Sequence, residues 1–129
     1  MLDQSLIEKI KSKKIYALEG NIGAGKTTVL KIMGRHFKEV EFVEEPVKQW
    51  QNLGGMNLLD AFYSDPKRWG FSFEFFSMLT KIKALLNAAN SGKPIIIIER
   101  SILSNKVFMD ISEELASWTK WNIECYEYI

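Results

Sequence analysis

The chain has 129 residues, enough for one hydrophobic core, and its 47% hydrophobic and 26% charged content is that of a folded globular protein. Seventeen basic residues balance sixteen acidic ones to a net charge of +1, which argues against a broad nucleic-acid or membrane surface but leaves room for a local basic pocket. The lone cysteine, Cys125, has no second thiol for a disulfide or a zinc site and reads as a free thiol in a reducing cytoplasm.

The opening stretch, MLDQSLIEKIKSKK, carries early acids and no apolar signal core, and it lacks the Arg- and Ser-rich character of an import leader. It reads as a short cytosolic lead-in. Residues 15–18 form an apolar strand, followed at once by the glycine-rich turn GNIGAGK. From Thr27 the pattern becomes helical, with Val29, Leu30, Ile32, Met33 and Phe37 on an apolar face and His36 on the surface. Residues 40–46 read as a second strand stopped by Pro46. A loop with Gly54 and Gly55 leads into a helix over 57–63, and Asp65-Pro66 breaks the chain. The longest helical pattern covers 69–90. After Ser91-Gly92-Lys93-Pro94 comes IIIIER, whose four isoleucines suit a strand covered on both faces. That block falls far short of the ~20 apolar residues a spanning helix needs, and no membrane partner is expected. A last aromatic helix is expected over 112–128, where Trp118, Trp121, Tyr126 and Tyr128 serve packing. Without repeats or linkers, residues 1–129 read as a single domain.

Strands alternating with helices predict an α/β fold with a central parallel sheet, in which ligands sit at the carboxyl ends of the strands. Those ends carry GNIGAGKT, Glu44-Glu45-Pro46 and Glu99-Arg100. Gly20, Asn21, Ile22, Gly23, Ala24, Gly25, Lys26 and Thr27 match the phosphate-loop pattern G-x-x-x-x-G-K-[ST] in full, with Thr28 directly after. The glycines let backbone N–H groups wrap phosphate oxygens, and the helix N-terminus adds partial positive charge. Lys26 reaches the outer phosphates, and the Thr27 hydroxyl holds Mg²⁺. A bound nucleoside triphosphate follows. Glu44 and Glu45, taken alone, read as solvated loop acids, and Glu99-Arg100 as a strand-end ion pair. Beside a triphosphate loop they also supply a general base and a charge-stabilising arginine for phosphoryl transfer.

GNIGAGKTT, EPVKQW, NLLDAFYSDPKRWGFSFEFF and ERSILSNKVF, in this order, resemble the deoxyribonucleoside kinases of the deoxycytidine, deoxyguanosine and mitochondrial thymidine kinase type. The resemblance spans nearly the whole chain and implies a P-loop NTPase-type three-layer fold, of which these residues form the N-terminal part. It implies ATP as phosphate donor, Mg²⁺ as cofactor and a deoxyribonucleoside as acceptor. Glu45 matches the general base for the 5′-hydroxyl, and Arg100 the arginine near the 5′-oxygen. Glu99 matches an acid that helps to place Mg²⁺. Trp50, Leu59, Tyr63 and Phe73 match nucleoside contacts: an aromatic wall at Trp50, the sugar 3′-hydroxyl at Tyr63 and base stacking at Phe73. At helical spacing the three aromatics would otherwise read as plain core residues. The resemblance further implies a homodimer through the helix 69–90 and the C-terminal aromatic helix; the expected cytoplasmic location rests on the cysteine and the opening stretch instead. The family continues beyond these residues with an arginine-rich lid and an adenine-binding loop, so the chain is expected to be C-terminally incomplete.

The helix 69–90 carries the chief departure. At ~100° per residue, Ser72, Thr80, Lys83, Asn87 and Asn90 fall on a solvated side. Phe71, Phe75, Met78, Ile82, Leu85 and Leu86 make an apolar stripe, while Glu74, Ser77 and Lys81 form a separate polar line. That line reads either as a surface ion pair or, by the resemblance, as the base-reading face together with Asn105. Glu74 stands where the family has glutamine. An ionised carboxylate only accepts hydrogen bonds, which suits the two adjacent donors of a guanine-like base, provided Lys81 does not neutralise it. Ser77, Lys81 and Asn105 also differ from the more apolar thymidine-preferring branch. The function expected is transfer of the γ-phosphoryl of ATP to a deoxyribonucleoside 5′-hydroxyl in nucleotide salvage. A nucleoside monophosphate kinase of the thymidylate type and a catalytically silent nucleotide-binding remnant are the alternatives.

Overall fold

The computed structural model describes residues 3–116. In chain order it holds α1 (Gln4–Lys11), β1 (Lys14–Leu18), α2 (Lys26–His36), β2 (Val40–Val43), α3 (Val47–Gln51), α4 (Leu58–Ser64), α5 (Pro66–Ala89), β3 (Ile95–Glu99) and α6 (Ile102–Ala116). These fall into two compact units. One takes the described residues up to Glu45 together with Lys81–Ser101; the other takes residues 46–80 and the described residues from Ile102 onward.

The first unit is a three-stranded, wholly parallel sheet in the order β1-β3-β2. The isoleucine run takes the central position, where a strand has neighbours on both sides, and Ile96 is fully buried. Leu18 pairs with Glu99, and Val43 with Ile98, so all three carboxyl ends reach the same edge of the sheet. Residues 19–25, 44–45 and 100–101 leave the sheet there. β1 lies at a side edge, and its Tyr16 is 54% exposed. Helix α2 packs on β2 and β3, and its Leu30 is 1% exposed. Burying a leucine of this kind is worth about 2 kcal/mol. The apolar face expected along α2 is only partly covered: Val29, Ile32 and Phe37 are exposed.

Within the stretch read as a lead-in, Gln4–Lys11 form the helix α1. Asp3 caps it by accepting from the backbone N–H and hydroxyl of Ser5. The Ser5 hydroxyl, with its N–H, holds the fully exposed Asp3 carboxyl below its ordinary range. The second strand stops at Val43, three residues before Pro46, because the backbone N–H of Glu45 turns away to a side chain.

In the second unit Trp50, Leu58 and Phe73 form the buried apolar cluster, with Val47, Met56, Leu59, Phe62, Trp69 and Phe76 packed around it. Phe73 stacks on Phe62 at 4.7 Å and meets Trp50 edge-on at 5.4 Å. Asn57 caps α4 by accepting from the Asp60 N–H. Helix α5 begins at Pro66 rather than 69, since proline suits the first helical position. Thr80, expected on the solvated side of α5, is buried: its hydroxyl accepts from the Trp50 indole N–H at 2.9 Å. Ser72, Lys83, Asn87 and Asn90 are exposed as their register predicts. Residues 112–116 of the expected aromatic helix belong to α6; Trp118, Trp121, Cys125, Tyr126 and Tyr128 lie outside the described residues. No described helix is long and apolar enough to cross a membrane.

Candidate functional site

At the carboxyl edge of the sheet, the turn after β1 carries Gly23 at φ +77° and Gly25 at φ +89°. A side chain at either would be strained, and neither position has a heavy atom within 4 Å of where a Cβ would stand. That open backbone leads directly into the N-terminus of α2, where the first N–H groups have no helical acceptor. Turn and helix end together fit an anion with several oxygens. Lys26 is buried, and its ammonium donates to the carbonyls of Gly20 at 2.9 Å and Asn21 at 2.7 Å. Asn21, Ile22, Ala24 and Thr28 lie exposed along the same segment.

Glu99, the last residue of β3, is buried and bridges two other chain segments. Its Oε1 accepts from the Thr27 hydroxyl at 2.6 Å, and its Oε2 accepts from the Glu45 N–H at 3.3 Å. A hydroxyl and a carboxylate oxygen in contact are the hard donors that Mg²⁺ takes when most of its shell is phosphate and water. Among the described residues no group of three or more His, Cys, Asp or Glu side chains forms a self-sufficient metal cluster. Thr27 and Glu99 therefore fit a phosphate-dependent Mg²⁺ and not an all-protein cage.

Glu45 lies between two cations. Lys81 Nζ stands 3.1 Å from Oε1, while Arg100 Nη1 stands 3.2 Å from Oε2 and 3.5 Å from Oε1. All three side chains are about nine-tenths buried. Arg100 also donates to the Gly20 carbonyl at 3.4 Å, which links the pair to the phosphate loop. Its backbone is left-handed at φ +57°, a conformation that costs a non-glycine residue roughly 1–2 kcal/mol. The Arg100 N–H to Leu18 carbonyl bond, 3.0 Å, and the Ser101 N–H to Glu19 carboxylate bond, 2.8 Å, hold the turn in place. This backbone outlier stands directly beside the buried Glu45 carboxylate. Glu44, by contrast, points to solvent.

The second unit holds a different polar cluster. Glu74 and Ser77 of α5 and Asn105 of α6 are 4%, 2% and 2% exposed. Ser77 gives its hydroxyl proton to the Glu74 carbonyl at 2.9 Å, so it accepts from Asn105 Nδ2 at 2.7 Å. The same Nδ2 reaches Glu74 Oε2 at 3.4 Å. That orientation leaves Asn105 Oδ1 buried with no hydrogen-bond partner among the described residues. Of the expected nucleoside contacts, Trp50 and Phe73 lie in the apolar cluster with Leu59 against it, while Tyr63 is 63% exposed. Lys81, expected beside Glu74 and Ser77, makes its ion pair with Glu45 instead. Sequence spacing shows Lys81 on one helical line with Ser77, but it carries no signal for the acid that the ammonium meets.

Residues 16–129 match the family model described as deoxynucleoside kinase. Among curated relatives, a probable deoxycytidine kinase of fowlpox virus (strain NVSL) is 38% identical, covering 88% of this chain and 48% of the relative. The deoxycytidine kinase of Homo sapiens is 32% identical over 90% of this chain and 53% of its own length. The mitochondrial deoxyguanosine kinase of Xenopus laevis is 32% identical over 81% and 48%. The chain thus spans about half the length of the curated relatives it matches.

Proposed function

Because this chain belongs to the deoxynucleoside kinase family, we propose that it carries the phosphate-binding and hydroxyl-activating part of an ATP-dependent deoxyribonucleoside kinase of nucleotide salvage. The observation that carries this reading is Glu45, a buried carboxylate held by Arg100 and joined through Glu99 to Thr27 of the phosphate loop. In the reaction, Glu45 accepts the proton of the nucleoside 5′-hydroxyl as the new O–P bond forms. The bond from the γ-phosphorus to the β,γ-bridging oxygen breaks, and ADP leaves. Backbone N–H groups of residues 20–25 and the start of α2 hold the phosphates, and Lys26 turns from its carbonyl partners to the outer ones. Arg100 offsets charge on the transferred group. Thr27 and Glu99 would hold Mg²⁺, which neutralises the outer phosphate oxygens when bound.

The polar cluster of the second unit is the proposed base reader. Glu74 Oε atoms and Asn105 Oδ1, which has no partner among the described residues, are acceptors, which supports preference for a base edge with adjacent donors, as in guanine. Trp50, Leu59, Tyr63 and Phe73 are the proposed sugar and base contacts. A homodimer through α5 and the C-terminal aromatic helix, and a cytoplasmic location, are part of the same reading.

The test is phosphorylation of the four deoxyribonucleosides, with thymidine monophosphate as a competing acceptor, by the chain and by Glu74→Gln. The expected result is transfer to nucleosides, deoxyguanosine foremost, with that preference lost in the variant. Transfer to the monophosphate alone would move the chain to the monophosphate kinases. Nucleotide binding without any transfer would make it a silent remnant. Unchanged base preference in Glu74→Gln would remove Glu74 from base reading.

A further inference from the structure

We infer that Lys81 is a positioning residue for the general base, not a reader of the nucleobase; this rests on the proposed role of Glu45. The ammonium lies 3.1 Å from Glu45 Oε1, on the last turns of α5 that belong to the same unit as the strand ends. Both partners are buried, and a buried carboxylate needs compensation wherever its neighbours turn. Arg100 alone is a poor permanent partner because it has other duties. Its guanidinium already reaches the Gly20 carbonyl, and in phosphoryl transfer its charge serves the transferred group.

Lys81 removes that conflict. With Oε1 held by the ammonium, Arg100 can turn toward phosphate without leaving Glu45 as an uncompensated buried charge. The carboxylate also keeps one orientation, its backbone N–H pinned on Glu99 and its side chain pinned at Oε1. A base held in one orientation stays aligned with the hydroxyl it serves, and misplacement by about 1 Å costs on the order of 100-fold in rate. A lysine suits this place because it is a compact point charge, whereas arginine takes the planar contacts at phosphate.

The experiment compares Lys81→Met, Lys81→Arg, Glu45→Gln and the Lys81→Met/Glu45→Gln double variant with the parent chain. It reads kcat and KM for the preferred deoxyribonucleoside, ATP affinity and the thermal midpoint. For Lys81→Met, kcat is expected to fall roughly 10- to 100-fold, with nucleoside KM and ATP affinity within about threefold of the parent. Lys81→Arg restores most of the loss. The double variant is expected to be no slower than Glu45→Gln alone, since Lys81 acts through that carboxylate. A rise in nucleoside KM or a changed base preference at intact kcat would return Lys81 to base reading and overturn the inference. A lowered midpoint with unchanged kinetics would do so too, leaving a purely structural ion pair. If the parent transfers no phosphate, or Glu45→Gln is as fast as the parent, the proposed function itself fails and the inference falls with it.

Discussion

The strand-end cluster of the first unit and the helix cluster of the second both bury ionisable or polar groups, and they satisfy them in opposite ways. At the strand ends, both carboxylates are occupied from several sides: Glu45 by Lys81 and Arg100, Glu99 by the Thr27 hydroxyl and the Glu45 N–H. In the second unit, Asn105 spends both amide protons on Ser77 and Glu74 and leaves Oδ1 unmatched among the described residues. A closed network of charges fixes geometry, which chemistry needs. An open hydrogen-bonding valence in a buried place is where a ligand atom gains most, which recognition needs.

That contrast can be broken most sharply from the first unit. Lys26→Ala removes the ammonium that faces the loop carbonyls, and ATP affinity is expected to drop roughly 10- to 100-fold by calorimetric titration. The unfolding midpoint should barely move, because the deleted contacts are to loop carbonyls rather than to the sheet core. Next comes Thr80→Val, which keeps the shape but strands the buried Trp50 indole N–H. Denaturant unfolding should show a loss of about 1–3 kcal/mol, with ATP affinity unchanged.

A smaller and more telling effect is expected at Asn105→Leu. The change withdraws the donors from Ser77 and Glu74 but also removes the unmatched Oδ1. The two effects offset, and the net stability change should stay within about 1 kcal/mol. Base discrimination should nevertheless shift, measured as relative binding of deoxyguanosine and thymidine. A loss of several kcal/mol would mean that the cluster is closed by other bonds and that the contrast between the two sites fails.

The smallest effect belongs to Asp3. Its lowered carboxyl range means that the cap supports α1 above the ordinary aspartate range and loses that support as pH falls through the folded value. Asp3→Asn, which still caps, should flatten this acid-side dependence in the helical circular dichroism signal.

Much of the first unit is legible in the sequence because its signals are local. The glycine spacing in GNIGAGKT demands a particular backbone, four isoleucines demand a covered strand, and strand ends in a parallel sheet converge by topology. Helical register on α5 leaves Glu74 and Ser77 open between a surface ion pair and a base-reading face, and the structure buries both. What escaped depends on partners distant in the chain. Thr80 is buried because an indole N–H thirty residues earlier seeks its hydroxyl, and Lys81 turns to Glu45 because a carboxylate stands there. The left-handed turn at Arg100 is set by bonds to Leu18 and Glu19, which no local pattern announces. The helix α1 escaped for a simpler reason: one capping aspartate and three apolar residues are a weak signal in eight residues.

The central claim is that Glu45 takes the proton of an acceptor hydroxyl beside a triphosphate held by the loop at Gly20–Gly25. Its most direct test is single-turnover transfer of labelled γ-phosphoryl from Mg²⁺–ATP to a deoxyribonucleoside by the parent chain and by Glu45→Gln. The account predicts a labelled 5′-monophosphate from the parent and a rate lower by about 10²- to 10⁴-fold in the variant, with ATP bound equally by both. Equal rates in the two proteins, or label appearing only in inorganic phosphate, would contradict it.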